Sequence, residues 1–519
     1  MKDSAPIAAT QAGQIRGLVE DRILVFKGVR YGADTAGTRF AAPRRPEPWP
    51  GIADTLTYGA STLQPPSGDG GGLFASWRPN PPSALSEDCL FLNVWTPGLA
   101  DGGKRPVMVW LHGGGFTAGS GSSNAYDGVR LARRGDVVVV TLNHRLNLFG
   151  HLYLAQFGAE FADSGNAGML DLVLALEWVR DNAASFGGDP GNVTIFGESG
   201  GGAKVSVLLA MDAARGLFHR AIVQSGPLIQ AIAADQATDA TRAVLAKLGL
   251  DGATAGRIRS LPAADLQAAV RAVMADRVGV PPQGPFSGVA DGPVLDGTNL
   301  KQHPFHPQAA PQGRSVPMLI GVNRTEMSLL AGALRPALFD LTWTSLPAAL
   351  APEIPGFDTE TIIAGYRALH PEYSPAAVYF TISSDRRFLR PSLVQADRKS
   401  AQGGAPVYFY LLDWNTPVDG GKWLCPHALD IGFVFDNVAK SASMSGIGAE
   451  QQRLADIMSE SWLAFARTGN PNNRLVPEWP SYDPERRPVM VFDLPPHLVD
   501  DPRAAERTVF SRAADRVPA

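Results

Sequence analysis

Short runs of apolar residues alternate along this chain with segments in which apolar residues repeat at helical spacing. Segment 170–186 is one of the latter, because Leu172, Leu176 and Val179 recur at intervals of three and four. The apolar runs have the length of strands and occupy residues 107–111, 137–142, 193–196, 221–224, 318–322 and 407–412. This alternation predicts an α/β fold in which helices cover both faces of a central, mostly parallel, twisted sheet.

The segment around Ser199 carries the strongest chemical signal. The apolar run 193–196 leads directly into G-E-S-G-G at residues 197–201, and a helical pattern follows over residues 203–211. A strand that turns so quickly into a helix strains the central residue, and the flanking glycines leave room for the turn. The start of the helix directs free N–H groups toward the hydroxyl. We therefore predict that Ser199 is a nucleophile for acyl transfer.

A serine hydroxyl becomes a good nucleophile when a histidine removes its proton and an acid orients that histidine. At sites of the strand-serine-helix type, the acid and then the histidine follow the serine in the chain. His427 is the best candidate base, because it lies in an irregular segment after the run 407–412, where α/β sheets carry catalytic loops. Glu326, shortly after the run at 316–322, is the predicted acid. Asp291 is the alternative, although its Asp-Gly-Pro context indicates a turn.

A second glycine-rich segment follows the apolar run 107–111 and reads H-G-G-G-F at residues 112–116. Because glycine has no side chain, its backbone N–H group can approach a substrate closely. Gly114 and Gly115, together with Gly200 after the serine, are therefore predicted to bind the oxyanion of a tetrahedral intermediate. A phosphate-binding loop is not expected here, because no phosphate-binding glycine pattern opens a helix at this segment.

Motifs around these residues extend through nearly the whole chain, and in this order they resemble the type-B carboxylesterase/lipase family of α/β-hydrolases. The bacterial members of that family include para-nitrobenzyl-esterase-like enzymes. The matching segments are F-K-G-V (26–29), R-F-A-A-P (39–43), S-E-D-C-L-F-L-N-V (86–94), H-G-G-G-F (112–116), N-H-R-L (143–146), residues 186–201, P-H (426–427), F-V-F (433–435), G-N-P (469–471) and W-P (479–480). The resemblance implies an α/β-hydrolase fold and a triad of Ser199, Glu326 and His427.

Other charged and polar residues are expected to be structural. The resemblance implies two structural ion pairs, Arg145 with Asp171 and Arg39 with Glu87. His144 stands where the family often has tyrosine, and His151 lies in the same segment. Both histidines precede the nucleophile, so we expect them to make hydrogen bonds in the core or around the site rather than to act as bases.

The chain also departs from the family at positions that bear on chemistry. A second cysteine that the family commonly has before Cys89 is missing, so that disulfide cannot form, and Cys89 and Cys425 are expected to be free thiols. Met327 follows the predicted acid where the family commonly has glycine. Arg78 beside Trp77 would repel a quaternary ammonium group, so a cholinesterase-like specificity is not expected.

These residues together predict a serine carboxylesterase that hydrolyses small-molecule esters by two-step acyl transfer. Glu198, beside the nucleophile, would either favour the imidazolium of His427 through its negative charge or make only a structural hydrogen bond. Glu198 and Ser225 are both expected to lie next to the triad. A lipase, or a carbamate or amide hydrolase, would use the same triad. A non-catalytic binding protein of the same fold would gain nothing from keeping a strained serine.

The residues of this one site are spread over much of the chain, so residues 1–519 are expected to form a single catalytic domain. Residues 331–402 have helical patterns and no strong strand pattern, and they are expected to form a helical subdomain near the active-site mouth. Loops at 64–82 and 279–292, rich in proline and glycine, would line the entrance. The residues expected to border the acyl pocket are Pro282, Gly284 and Phe286.

Composition narrows the other possibilities. The chain has 45% apolar and 18% charged residues, as an ordinary globular protein does. A net charge of −4, a pI near 6.2 and the lack of a long basic run argue against nucleic acid as a partner. The sequence has neither zinc-like spacing nor a cofactor motif, so no metal or cofactor is expected. It has no apolar run of membrane-spanning length, and residues 1–6 lack an apolar signal region, so we expect a cytoplasmic protein. Monomer and homodimer remain equally open.

Overall fold

The computed structural model describes residues 5–65, 71–277 and 288–514. The strands in chain order are β1 (Ile7–Ala9), β2 (Gln14–Arg16), β3 (Leu18–Glu20), β4 (Ile23–Arg30), β5 (Ile52–Asp54), β6 (Phe91–Thr96), β7 (Arg105–Leu111), β8 (Val138–Leu142), β9 (Gly188–Glu198), β10 (Arg220–Gln224), β11 (Ile232–Ala233), β12 (Val294–Leu295), β13 (Met318–Asn323), β14 (Val407–Leu412), β15 (Pro488–Phe492) and β16 (His497–Asp500).

The α-helices lie between these strands and after them. In chain order they are α1 (Val129–Gly135), α2 (Asn147–His151), α3 (Ala167–Asn182), α4 (Gly200–Leu208), α5 (Ala234–Lys247), α6 (Ala263–Asp276), α7 (Met327–Leu330), α8 (Leu346–Leu350), α9 (Thr359–Leu369), α10 (Pro375–Ser384), α11 (Arg390–Ser400), α12 (Leu429–Val434), α13 (Ala442–Ser445), α14 (Ala449–Thr468) and α15 (Ala504–Ala514).

One large sheet organises the molecule. It has eleven strands in the spatial order β16-β15-β14-β13-β10-β9-β7-β8-β6-β4-β3. The seven strands from β15 to β8 in this order are parallel to one another. Strands β6, β4 and β3 at one edge and β16 at the other run antiparallel to their neighbours. The predicted α/β class with a mostly parallel sheet is therefore confirmed.

Each of the six apolar runs forms a strand of this sheet, with ends within two residues of the prediction except at β9. The predicted run 193–196 is only the end of β9, which begins at Gly188, because Gly188 pairs with Arg105 of β7. The predicted helix 170–186 is α3, which starts earlier and continues into a short 3-10 turn at Ala183–Phe186. The helix after Ser199 begins at once, at Gly200.

The two faces of the sheet pack into two separate hydrophobic cores, as the residues of β7 show. Val107, Val109 and Leu111 belong to the core on one face, while Met108 and Trp110 belong to the core on the other. Successive side chains of a strand point to opposite faces, so a strand buried on both sides needs an unbroken apolar run. This requirement explains why the apolar runs located the central strands so well.

Residues 331–402 contain helices α8 to α11 and no strand. Their core includes Leu346, Ile362 and Tyr366, and it also takes in Phe510 from the C-terminal helix α15, which the sequence had not linked to this region. A π-helical turn at Asp385–Leu389 joins α10 to α11. The helical subdomain at 331–402 stays a prediction, and α15 packs against the same helices.

Parts of the two predicted entrance loops fall outside the described residues. These parts are residues 66–70 of the first loop and residues 279–287 of the second, with Pro282, Gly284 and Phe286 among them. The described part of the first loop contains a 3-10 helix at Gly72–Trp77. Over the described part of the chain, no helix is both long and apolar enough to cross a membrane.

Candidate active site

Ser199 occupies the sharp turn between the end of β9 and the start of α4. Its backbone has φ 56° and ψ −123°, a left-handed conformation that costs energy for any residue with a side chain. A Cβ on Gly201 would stand 1.9 Å from Leu111 O, and one on Gly197 would stand 2.6 Å from the same oxygen. Glycine is therefore required on both sides, which is the reason the G-x-S-x-G spacing located this turn.

His427 and Glu326 meet beside the same end of the sheet. Glu326 follows β13, while His427 lies between β14 and α12, and His427 Nδ1 donates to Glu326 Oε2 at 2.6 Å. The other carboxylate oxygen of Glu326 accepts from Ser225 Oγ at 2.6 Å and from Asn323 N at 2.7 Å. The carboxylate is fully buried, so these hydrogen bonds hold it in one orientation.

Asp291, the alternative acid, is engaged elsewhere. Its carboxylate accepts from Gly288 N at 2.6 Å inside its own turn. The structure therefore brings the imidazole of His427 to Glu326, and the Asp-Gly-Pro pattern marks a turn, as its sequence had indicated.

The second ring nitrogen of His427 faces Glu198. Nε2 lies 3.1 Å from Glu198 Oε1, yet both atoms are buried without a hydrogen-bond partner among the described residues. The ring of Phe388, in the π-helical turn, packs on the imidazole with centroids 5.2 Å apart. An imidazole held at Nδ1 and unpaired at Nε2 is arranged to exchange a proton at Nε2.

The charges around this imidazole set its proton affinity. Burial lowers the pKa of His427, but the charges of Glu198 and Glu326 outweigh that effect and raise the pKa above its usual range. Burial also raises the pKa of Glu198, and the charge of His427 opposes that rise. Burial raises the pKa of Asp430 to about 6, although Gln224 and Tyr410 donate to its carboxylate. Glu198 and His427 are therefore coupled, because the charge of each shifts the pKa of the other.

The glycine loop after β7 lies against the start of α4. Gly114 and Gly115 have φ values of 87° and 63°, which favour glycine. A Cβ on Gly113 would be 3.5 Å from Ser199 Cβ, and a Cβ on Gly200 would be 2.2 Å from Gly115 O. The loop and the start of the helix therefore touch beside Ser199.

Lys204 is a polar residue of this region that lies outside the sequence motifs. It lies on α4, is fully buried, and donates from Nζ to His112 O and to Gly115 O. The available signal was a lysine just after the serine motif, in a helix otherwise made of small and apolar residues and one serine.

The residues that were expected to be structural form ion pairs or hydrogen bonds with neighbours in the fold. The Arg145–Asp171 pair is buried and its closest atoms are 2.6 Å apart, and Arg39 Nε donates to Glu87 at 2.6 Å. His144 is buried with Nδ1 bonded to Arg145 O at 2.8 Å, and burial lowers its pKa. The cysteines are buried and free. Across the described ranges, no group of three or more His, Cys, Asp or Glu side chains is arranged to hold a metal ion.

Comparisons with known proteins agree over the length of the chain. The carboxylesterase family model matches residues 4–511. The para-nitrobenzyl esterase of Bacillus subtilis (strain 168) is 35% identical over 504 residues, which cover 96% of this chain and 97% of that protein. The phenmedipham hydrolase of Pseudarthrobacter oxydans is 31% identical, with 94% of each chain covered.

Solved structures give the same result. The Geobacillus stearothermophilus carboxylesterase EST55 has a TM-score of 0.82 and 37% identity, covering 97% of this chain and 99% of that one. An esterase from anaerobic Clostridium hathewayi, described as able to hydrolyse aliphatic aromatic polyesters, has a TM-score of 0.82 and 32% identity, with 99% of each chain covered.

Proposed function

Because the chain belongs to the carboxylesterase family and is a carboxylic ester hydrolase, we propose that its reaction proceeds through Ser199, His427 and Glu326. The hydrogen bond of 2.6 Å from His427 Nδ1 to Glu326 Oε2 is the observation that carries this proposal. In the neutral ring this bond favours the tautomer with its proton on Nδ1, which leaves a lone pair on Nε2 to take the serine proton.

In the first step, Ser199 Oγ attacks the ester carbonyl while His427 Nε2 takes the hydroxyl proton. Glu326 stabilises the imidazolium that forms, and the imidazolium then protonates the departing alcohol. In the second step, a water molecule attacks the acyl-serine with the same histidine as base, and the acid leaves. The strained backbone of Ser199 supports this role, since strain of this kind is kept where a side chain must be presented to a substrate.

The N–H groups of Gly114, Gly115 and Gly200 would stabilise the tetrahedral oxyanion. Two of these glycines have positive φ, and the third starts α4, where backbone N–H groups lack partners within the helix. Removal of one such donor typically lowers turnover by about a hundredfold to a thousandfold. The backbone of these glycines would therefore contribute to catalysis together with the triad.

The helical region at 331–402 would form one wall of the active-site mouth. Phe388, in the π-helical turn between α10 and α11, packs on the ring of His427. A π-helical turn is often found at functional sites, because it displaces one residue outward from a regular helix. The contact between Phe388 and His427 supports the proposal that residues 331–402 line one side of the active site.

Hydrolysis of a para-nitrophenyl ester series from acetate to palmitate tests the assignment. The natural chain is compared with Ser199→Ala and with Ser206→Ala as a matched control. Ser206 is a buried serine on the same helix whose hydroxyl bonds to Gly202 O. We expect activity to fall by about a millionfold in Ser199→Ala and to persist in Ser206→Ala.

The chain-length profile then defines the substrate class. Preference for short esters supports a carboxylesterase with a small-molecule substrate, whereas preference for long esters above their solubility limit would assign a lipase. Full activity of a folded Ser199→Ala would overturn the role of the serine.

A further inference from the structure

Lys204 has a setting that the triad mechanism leaves unused. It stands on α4 five positions after Ser199 and is fully buried. Its Nζ donates to His112 O at 2.9 Å and to Gly115 O at 2.8 Å, and it lies 5.3 Å from the centre of the Phe116 ring. No carboxylate in the described ranges forms an ion pair with it. A buried lysine without a carboxylate is costly, so its presence needs a reason.

The two carbonyls that Lys204 holds stand at the two ends of the glycine loop. His112 O belongs to the peptide that enters the loop, and Gly115 O belongs to the peptide that leaves it. One side chain from the nucleophile helix therefore fixes both ends of the segment that carries the proposed oxyanion donors. The start of α4 and the loop are also in contact, because a Cβ on Gly200 would be 2.2 Å from Gly115 O.

Every carbonyl of loop residues 112–115 has a partner within the protein. Lys204 holds the first and the last. Gly113 O accepts from the ring of His112 at 2.8 Å, and Gly114 O accepts from the backbone N–H four residues later at 3.1 Å. A peptide plane in this loop that turned over would present a carbonyl oxygen to the oxyanion and withdraw an N–H group. The bonds to Gly113 O and Gly114 O oppose such a turn in the peptide planes that carry the Gly114 and Gly115 N–H groups, and Lys204 holds the planes on either side of them.

We propose that Lys204 is a positioning residue for the oxyanion hole, which clamps both ends of the loop at residues 113–115 so that its N–H groups face Ser199. The inference rests on the proposed function of Ser199 and of the loop glycines. It assigns to Lys204 a part in transition-state stabilisation through the backbone, without contact with the substrate.

The clamp does not depend on the charge of the lysine. Burial lowers the pKa of Lys204 to about 7. Both the ammonium and the neutral amine have at least two N–H donors, which is enough for two carbonyl groups. We therefore expect the contribution of Lys204 to be similar on both sides of neutral pH.

Lys399 supplies a matched control elsewhere in the fold. It is also a buried lysine on a helix, α11, and it donates to two backbone carbonyls, Gly313 O at 2.8 Å and Arg314 O at 3.1 Å, and to Gln402 Oε1 at 3.2 Å. These carbonyls belong to the segment before β13 and not to the glycine loop. Lys399→Met therefore removes a similar set of bonds without touching the proposed site.

The test compares Lys204→Met, Lys204→Gln and Lys399→Met in the full chain. For Lys204→Met we expect kcat to fall by about tenfold to a hundredfold at every pH, with little change in KM. Affinity for a trifluoromethyl ketone, which forms a tetrahedral adduct with the serine, should weaken by the same factor as kcat/KM. Lys204→Gln, whose amide still donates, should lie between Lys204→Met and the natural chain. Lys399→Met should change the melting temperature and leave kcat unchanged.

The inference is overturned if Lys204→Met lowers the melting temperature as Lys399→Met does but keeps kcat and ketone affinity. Should Lys204→Met not fold, the same comparison is made with Lys204→Gln, and natural kcat and ketone affinity there overturn the inference. Ser199→Ala is measured in parallel, because activity that survives in it would reject the proposed function itself. Loss in Ser199→Ala with none in the Lys204 variants rejects only the clamp.

Discussion

Two buried pairs of a cation-forming side chain and a carboxylate, Arg145 with Asp171 and His427 with Glu326, differ in how completely their hydrogen bonds are made. The closest atoms are 2.6 Å apart in both pairs. Each guanidinium nitrogen of Arg145 has an acceptor, either Asp171 or a backbone carbonyl. His427 Nε2, in contrast, has no hydrogen-bond partner within the described ranges, although Glu198 is near. A buried pair in which every donor has an acceptor stabilises the fold, whereas a buried imidazole with an unpaired nitrogen can accept a proton there.

Glu326→Gln is the change expected to separate the two pairs most strongly. The new amide keeps an oxygen for Ser225 and the Asn323 N–H, but its NH₂ group would face His427 Nδ1. The imidazole would then adopt the tautomer with its proton on Nε2, which cannot accept from the serine. We expect kcat to fall by about ten-thousandfold with little change in melting temperature, measured with a short para-nitrophenyl ester.

Asp291→Asn is the control for that substitution, because Asp291 was the competing acid in the sequence. Its carboxylate accepts from Gly288 N inside its own turn and not from His427, so kcat should remain close to that of the natural chain. A large loss in Asp291→Asn with none in Glu326→Gln would reverse the assignment of the acid.

Arg145→Met tests the Arg145–Asp171 pair, in which every guanidinium nitrogen has an acceptor. It leaves Asp171 buried without its cation, so we expect the free energy of unfolding to fall by about 3–5 kcal/mol. The folded enzyme should keep its kcat at low temperature, since neither residue touches the proposed triad. Chemical denaturation and ester hydrolysis on the same sample provide the two measurements.

A second substitution sharpens this result. Replacing Asp171 by leucine in the Arg145→Met background removes the unpaired charge and should restore part of the lost stability. A drop in kcat without a loss of stability in Arg145→Met would show that the pair acts on the site, and the contrast between the two pairs would then fail.

The central strands and the serine turn could be predicted because their signals are local. A strand covered on both faces needs an unbroken apolar run, and the turn at Ser199 needs glycine on both sides. The acid and base were found from their places after β13 and β14, since the carboxyl ends of parallel strands meet at one edge of the sheet. The choice of Glu326 over Asp291 also used the turn pattern of Asp291.

Other features depend on partners that are distant in the chain. The start of β9 looks like a turn in sequence, Gly188-Asp189-Pro190-Gly191, and only Gly188 of these residues pairs with β7, at Arg105, before the register shifts to Val107 and Val193. Helix α15 joins the helical region through the packing of Phe510. Lys204 acts through carbonyls of a loop about ninety residues earlier. The sequence left open whether Glu198 carries a charge toward the histidine or only a structural bond, and its proximity to Nε2 came from the fold.

Glu198→Gln changes the residue that faces Nε2 of His427. Its effect should be smaller than those of Glu326→Gln and Arg145→Met. A negative charge beside the imidazole favours its cation, so removal of that charge lowers the pKa of His427. The base is active when neutral, and the acid limb of kcat/KM should therefore move to lower pH, by about one unit. The limb is measured from pH 4 to 9 with a short ester.

The steepness of the acid limb in the pH profile of kcat/KM is as informative as the pH at which the limb lies. In the natural chain, burial raises the pKa of Glu198 as well, so carboxylate and imidazole titrate as a coupled pair and the limb should be broad. Glu198→Gln leaves one titrating group in that pair, and the limb should narrow to a single transition. Asp430→Asn is the control, because the charge of Asp430 contributes less to the raised pKa of His427 and should move the limb less. A limb that stays in place in Glu198→Gln would mean that the carboxyl beside Nε2 is neutral throughout, and that the open side of the histidine is set by shape and not by charge.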